Sequence, residues 1–263
     1  MNFLNEALSF IFTAANWVGP AGLAARIGEH LQYTVIAVFF SALIAVPLGM
    51  IIGHTGRGTF LVVTGVNALR ALPTLGVLLL GVLLWGLGLV GPTVALMLLG
   101  IPPLLAGTYS GIANVDPAVV DAARSMGMTE RRVLLRVEAP NAMPLILGGL
   151  RTATLQIVAT ATVAAYASLG GLGRYLIDGI KVREFYLALV GALMVTALAL
   201  ILDGILAFAV WASVPGAGRL RRMPQPLLDD EVAVQSHIAG GDRMKSTPGP
   251  GYERGRLSPT VDG

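Results

Sequence analysis

The sequence predicts an all-α, polytopic membrane protein with about five transmembrane helices. Three observations carry this. Of 263 residues, 55% are hydrophobic and only 13% charged, against about a quarter charged in ordinary globular domains. Apolar runs of about twenty residues recur, which is the length that crosses ~30 Å of hydrocarbon. The charges are also segregated, since neither Ala71–Val115 nor Thr152–Gly173 contains an Asp, Glu, Lys or Arg. A soluble fold could not bury this much apolar surface. With no cysteine, disulfide, iron–sulfur and thiolate chemistry are excluded. His30, His54 and His237 are scattered and form no metal-ligand spacing. The net charge of +3 is small and has no nucleic-acid meaning, because basic residues at loops follow from membrane topology.

In chain order, Met1–Trp17 is apolar at helical spacing but carries Asn2, Asn5, Glu6 and Asn16. It is short for a span and lacks the basic start of a signal peptide. Residues 1–30 therefore read as an interfacial helix and linker. A transmembrane domain over 31–215 follows. Leu31–Gly53 is its first, charge-free span, flanked by His30 and His54, and its Pro47 and Gly49 are tolerated in a lipid bundle. Ala71–Val115 is too long for one span, and Gly86–Pro92 is the turn that makes two. Arg70 reads as a snorkelling interfacial residue, with pairing to an acid of a neighbouring span as the alternative. Ala142–Ala167 is the fourth span, with Arg151 about two turns inside it, and Phe185–Val214 is the fifth, with Asp203 inside. Trp17, Trp85 and Trp211 lie near span ends, as interfacial anchors do. Residues 216–263 are rich in Pro, Gly, Ser, Asp and Arg and read as a disordered tail, too polar to offset its ordering entropy.

Between the third and fourth spans lies the most charged interior stretch, residues 116–140. A polar island between charge-free runs belongs at a membrane surface, where a soluble partner can touch it. Asp116 with Pro117 predicts a helix start, Gly127 a left-handed stop, and Thr129 the cap of a second helix over Glu130–Glu138. Pro140 should limit that helix, because the residue before proline avoids the α region. Ala122, Ala123, Ser125 and Gly127 are small and would let another backbone come close.

Asp121-Ala122-Ala123, then Gly127, then Val137-Glu138-Ala139-Pro140 resemble the EAA loop of ABC-importer permeases. Asp stands for the usual Glu and Ala139 for the usual Leu, while the spacing from acid to Gly and Pro is kept. The resemblance covers roughly Gln32 to Val214. It implies a type I ABC-importer permease fold in which Asp121, Ala122, Ala123, Gly127 and Pro140 belong to the coupling helix and loop that dock in a groove of a cytoplasmic ATPase. Gly170-Gly171-Leu172-Gly173, Asn67–Pro73, Ile101-Pro102-Pro103, Tyr109–Pro117 and Gly148–Thr154 resemble the osmoprotectant subgroup. The substrates implied are glycine betaine, choline, carnitine or proline. The partners implied are a pair of ATPase subunits, a second permease, the same or homologous, and an extracytoplasmic solute-binding protein, all assembled in membrane lipid. Cofactors are expected only in the partner, which would bind ATP and magnesium: neither Lys181 nor Lys245 follows a Gly-x-x-x-x-Gly phosphate loop.

Placing the 116–140 loop in the cytoplasm puts the amino terminus outside and the carboxyl terminus inside for five spans. The basic residues then show the inside bias the positive-inside rule demands. Asp203 is the one acid deep in a span. It reads as a helix–helix or interface contact, or else as a carboxylate that attracts a quaternary ammonium or relays protons. The latter would make the chain an ion-coupled secondary transporter. Gln156 and Thr160, with Thr154 and Thr162, either line a substrate path or bond neighbouring helices. No nucleophile–base pair points to an enzyme.

Overall fold

A computed structural model describes residues 3–86, 88–167 and 170–214. Every regular element among them is helical. In order these are α1 (Phe3–Phe12), α2 (Leu23–Thr55), α3 (Thr59–Ala71), α4 (Thr74–Trp85), α5 (Val90–Ala113), α6 (Pro117–Ser125) and α7 (Glu130–Val133). A π-helical stretch (Leu134–Glu138), α8 (Ala139–Ala164), α9 (Gly173–Lys181), α10 (Phe185–Ser213) and two short 3-10 turns, Ala14–Trp17 and Ala165–Ala167, complete them. The expected tail, residues 216–263, lies outside the described residues, as does the side chain of Arg70.

Among the described residues, four helical runs are long and apolar enough to cross a membrane: Leu23–Thr55, Val90–Ala113, Glu130–Ala164 and Phe185–Ser213. The expected second span differs. From Ala71 to the turn it is only the 12-residue α4, and the 13 residues of α3 come before it, the two separated at Leu72 and Pro73, whose extended backbone ends one helix before the other begins. Neither piece alone reaches across ~30 Å at 1.5 Å per residue. The ten residues of α1 are likewise too few to cross. Its Ala7 packs with Leu23 and Val190, which fastens α1 to α10 and to the start of α2.

The first span begins at Leu23, eight residues before the expected Leu31. The helix accepts Arg26 and Glu29 because each has a partner, as described below. The expected limit at Pro140 is also overturned, since the helix runs through it into α8. The reason is the π-helical stretch just before. There the N–H of Ala139 reaches back to the carbonyl of Leu134, five residues away, so the widened turn gives the proline ring room that an α turn denies it.

Helix α5 is the centre of the bundle, packed against α2, α3, α4 and α8. Ala95, Leu96, Leu104 and Ile112 on it are buried. Helices α2 and α10 are peripheral and turn Phe39, Leu43, Leu200, Ile201 and Phe208 outward, the face a lipid-exposed helix presents. Contacts are close where both sides are small. A Cβ on Gly81 of α4 would sit 2.6 Å from the carbonyl oxygen of Gly91 of α5, and one on Gly107 of α5 would sit 2.8 Å from the Cα of Gly149 of α8.

Candidate functional site

Residues 116–140 form a short helical loop at the end of the bundle where α2, α5 and α8 meet. Asp116 caps α6, its Oδ1 accepting from the Ala118 N–H at 2.9 Å, with Pro117 at the first helical position. Gly127 follows α6 with φ +80°, the left-handed conformation that favours glycine. Thr129 holds the N-cap position of α7, but its side chain makes no capping bond. Of the small residues predicted here, Ala122, Ser125 and Gly127 are exposed, whereas Ala123 is buried. Ala123 packs with Val120 and Val133, and Val115, Met128 and Val137 lie against this cluster. The inner face of α6 is thus fastened to its own loop, and its outer face carries Asp121, Ala122 and Ser125. Pro140 is exposed at the root of α8.

A chain of charged groups runs beside this helix. Arg124 donates from Nε and Nη2 to the two carboxylate oxygens of Glu130, each at 3.1 Å, and from Nη1 to Asp121 at 3.5 Å. The Arg124 guanidinium holds the Glu130 carboxyl below the usual carboxylate range. On its other side Glu130 lies 3.2 Å from Nε2 of His54, at the end of α2, and Nδ1 of His54 lies 2.6 Å from the buried Glu138. The sequence reading missed this link because it treated His54 only as a flank of the first span.

Asp203 on α10 is engaged by Arg151 on α8, which donates from Nε at 2.6 Å and from Nη2 at 2.8 Å. Such a fork-to-fork pair is the strong form of an ion pair. The signal was present in the sequence, as one base in the fourth span and one acid in the fifth, but the two had not been joined. Gln156 and Thr160 share a face of α8, with Gln156 exposed and Thr160 half-buried. Arg151 is five residues before Gln156, about 140° around the helix, so the structure does not bring Asp203 to those two.

At the opposite end of α2 a second polar cluster holds the Gly170–Gly173 segment. Glu29 accepts from the Gly171 N–H at 2.6 Å and from Arg26 at 2.9 Å. Gly171 has φ +77°, and a Cβ there would lie 3.2 Å from Nδ1 of His30. His30 is fully buried, with Nε2 3.1 Å from the Val158 carbonyl oxygen. A Cβ on Gly173 would overlap the backbone carbonyl of Thr162. The segment leads into α9, whose Tyr175 donates to the Ala21 carbonyl at 2.7 Å.

A helical bundle with a short, outward-facing helix on one loop defines a class, and comparison with known proteins identifies it. The chain belongs to the family of binding-protein-dependent transport system inner membrane components, whose pattern matches residues 45–210. It is 34% identical over 204 residues to the glycine betaine/carnitine/choline transport system permease protein OpuCB of Bacillus subtilis (strain 168), spanning 78% of this chain and 92% of that protein. It is 35% identical to the choline transport system permease protein OpuBB of the same organism, over 74% of this chain and 90% of the relative. It is 34% identical to the osmoprotectant import permease protein OsmY of Salmonella typhimurium, over 68% and 77%. Among solved structures, a chain of the MetNI methionine ABC transporter in inward facing conformations superposes with a TM-score of 0.65 at 20% identity, covering 73% of this chain and 96% of that one. That likeness fixes the fold.

Proposed function

We propose that this chain is the membrane-spanning permease subunit of an ABC importer for osmoprotectants, with glycine betaine, choline, carnitine or proline as the solute. The observation that carries this reading is α6, a helix of nine residues held on its inner face and open on its outer face. Asp121, Ala122 and Gly127 stand where a partner's groove would meet them. Loop 116–140 faces the cytoplasm and docks on a pair of ATPase subunits, which bind the ATP and magnesium. The chain performs no catalysis of its own. Its amino terminus is then outside and its carboxyl terminus inside. Closure of the ATPases moves α6, and the bundle, paired with a second permease, alternates between outward- and inward-open states. A solute-binding protein delivers the solute at the Gly170–Glu184 end, and the open face of α8 bearing Gln156 and Thr160 lines the path. The pairing of Asp203 with Arg151 removes the main support for an ion-coupled carrier, because that carboxylate is already neutralised by a neighbour.

The test is purification of the intact assembly from detergent, followed by reconstitution into proteoliposomes with the companion binding protein. ATP-dependent uptake of one of the four solutes is expected. Gly127→Asp should insert normally yet abolish uptake, and normal uptake by this variant would overturn the reading. Asp203→Asn should keep measurable uptake.

A further inference from the structure

We infer that His54, Glu130 and Glu138 form a clamp that couples the α6 loop to the first span, and that the π-helical stretch exists to set its geometry. This rests on the permease reading above. Glu138 is eight residues after Glu130. Two α turns take about 7.2 residues, so on a regular helix the two carboxylates would diverge by roughly 80°. A π turn takes about one residue more, and eight residues then complete two turns. Leu134–Glu138 is that stretch, and both carboxylates face His54, at 3.2 and 2.6 Å.

The chemistry fits a clamp. A neutral imidazole has a single N–H and would turn a lone pair toward one of the two carboxylates, whereas an imidazolium donates to both. Glu138 is 5% exposed, a burial that carboxylates adopt when paired. Glu130 is shared, since its Oε2 meets both Arg124 of α6 and His54 of α2. The order of contacts is therefore α6, Arg124, Glu130, His54, α2, with Glu138 anchoring the far side. Apolar contacts hold α6 to α7 and the π stretch. The clamp carries that unit to the last turn of α2, where Met50, like Leu134, lies against the cluster of Ile112, Ala142 and Ile146. His54, Glu130 and Glu138 are positioning residues: they touch neither solute nor nucleotide, and they make displacement of α6 a displacement of α2.

The experiment uses the reconstituted transporter with its ATPase and binding protein. Wild-type ATP-dependent uptake is measured first, and its absence would sink the permease reading itself. His54→Gln, Glu138→Gln, the double variant and His54→Lys are then compared for co-purification of the ATPase, ATP hydrolysis and solute carried per ATP. In the two single variants the ATPase should stay bound while solute per ATP falls about tenfold, the size of a typical coupling free energy. The double variant should be no worse than either single, as for residues that act as one unit. His54→Lys, which places a cation between the carboxylates, should recover most of the loss. Unchanged solute per ATP in both single variants, additive losses, or equal loss in His54→Lys and His54→Gln would each overturn the clamp. If His54→Gln fails to fold, Glu138→Gln alone decides by the same ratio.

Discussion

The two ends of α2 hold a chain segment in opposite ways. At the His54 end, α6 is fixed by a small apolar cluster and by the pairs of Arg124 with Asp121 and Glu130, whose side chains are 73% and 60% exposed. At the Arg26–His30 end, Gly170–Gly173 is fixed by backbone proximity, where a missing Cβ lets the chain lie directly on Glu29, His30 and Thr162. The first arrangement can shift as a body, because exposed ion pairs re-form at little cost. The second cannot, because close-packed backbone has no second arrangement nearby. The difference shows which end is built to move and which to be held.

The strongest test of that contrast is a pair of substitutions of one kind. Gly173→Ala, whose Cβ must overlap the Thr162 backbone, should abolish monodisperse protein in size-exclusion chromatography. Gly127→Ala meets nothing within 4 Å and should cost only about 1–2 kcal/mol for a left-handed alanine. Similar yields from the two would break the comparison. A smaller effect is expected between the ends, at Arg151 and Asp203. Arg151→Leu alone should lower the melting temperature in detergent by leaving one carboxylate unpaired, and Arg151→Leu with Asp203→Leu should restore it. Next is Glu29→Ala, which leaves the Gly171 N–H without its acceptor and should cost about 1–3 kcal/mol, read as a lower melting temperature than that of Glu130→Ala. The smallest effect concerns pH. The Glu130 carboxyl is held low by Arg124. Its stabilising contact is therefore complete above the unfolded value of about 4.3 and is lost only as pH falls through the lower folded value. The melting difference between wild type and Glu130→Gln should persist down to about pH 5 and should close as pH falls further.

Much of the fold was legible because hydrocarbon imposes a simple rule: charge-free runs cross and charged stretches do not. The turn at Gly86–Pro92, the loop at 116–140, the cap at Asp116 and the stop at Gly127 all followed from local chemistry. What failed had a tertiary cause. Leu23–His30 reads as linker because the charge-free run begins only at Leu31, and only the docked Gly171 shows how Glu29 is satisfied within a helix. Pro140 reads as a helix limit because a five-residue reach from Ala139 to Leu134 leaves no mark in composition. At the site, the residues of the surface helix were found by their spacing, but His54 was not, since its partners lie 76 and 84 positions away.

Helix α2 is 33 residues long, about 50 Å at 1.5 Å per residue, yet its charge-free middle, Leu31–Gly53, spans only about 34 Å. That middle matches the ~30 Å of a bilayer, so both polar clusters sit at the borders of the hydrocarbon. A thinner membrane would tilt this rod, or press lipid headgroups toward Arg26 and His54, straining both borders at once. The length of that middle thus sets the bilayer thickness at which both polar clusters clear the hydrocarbon.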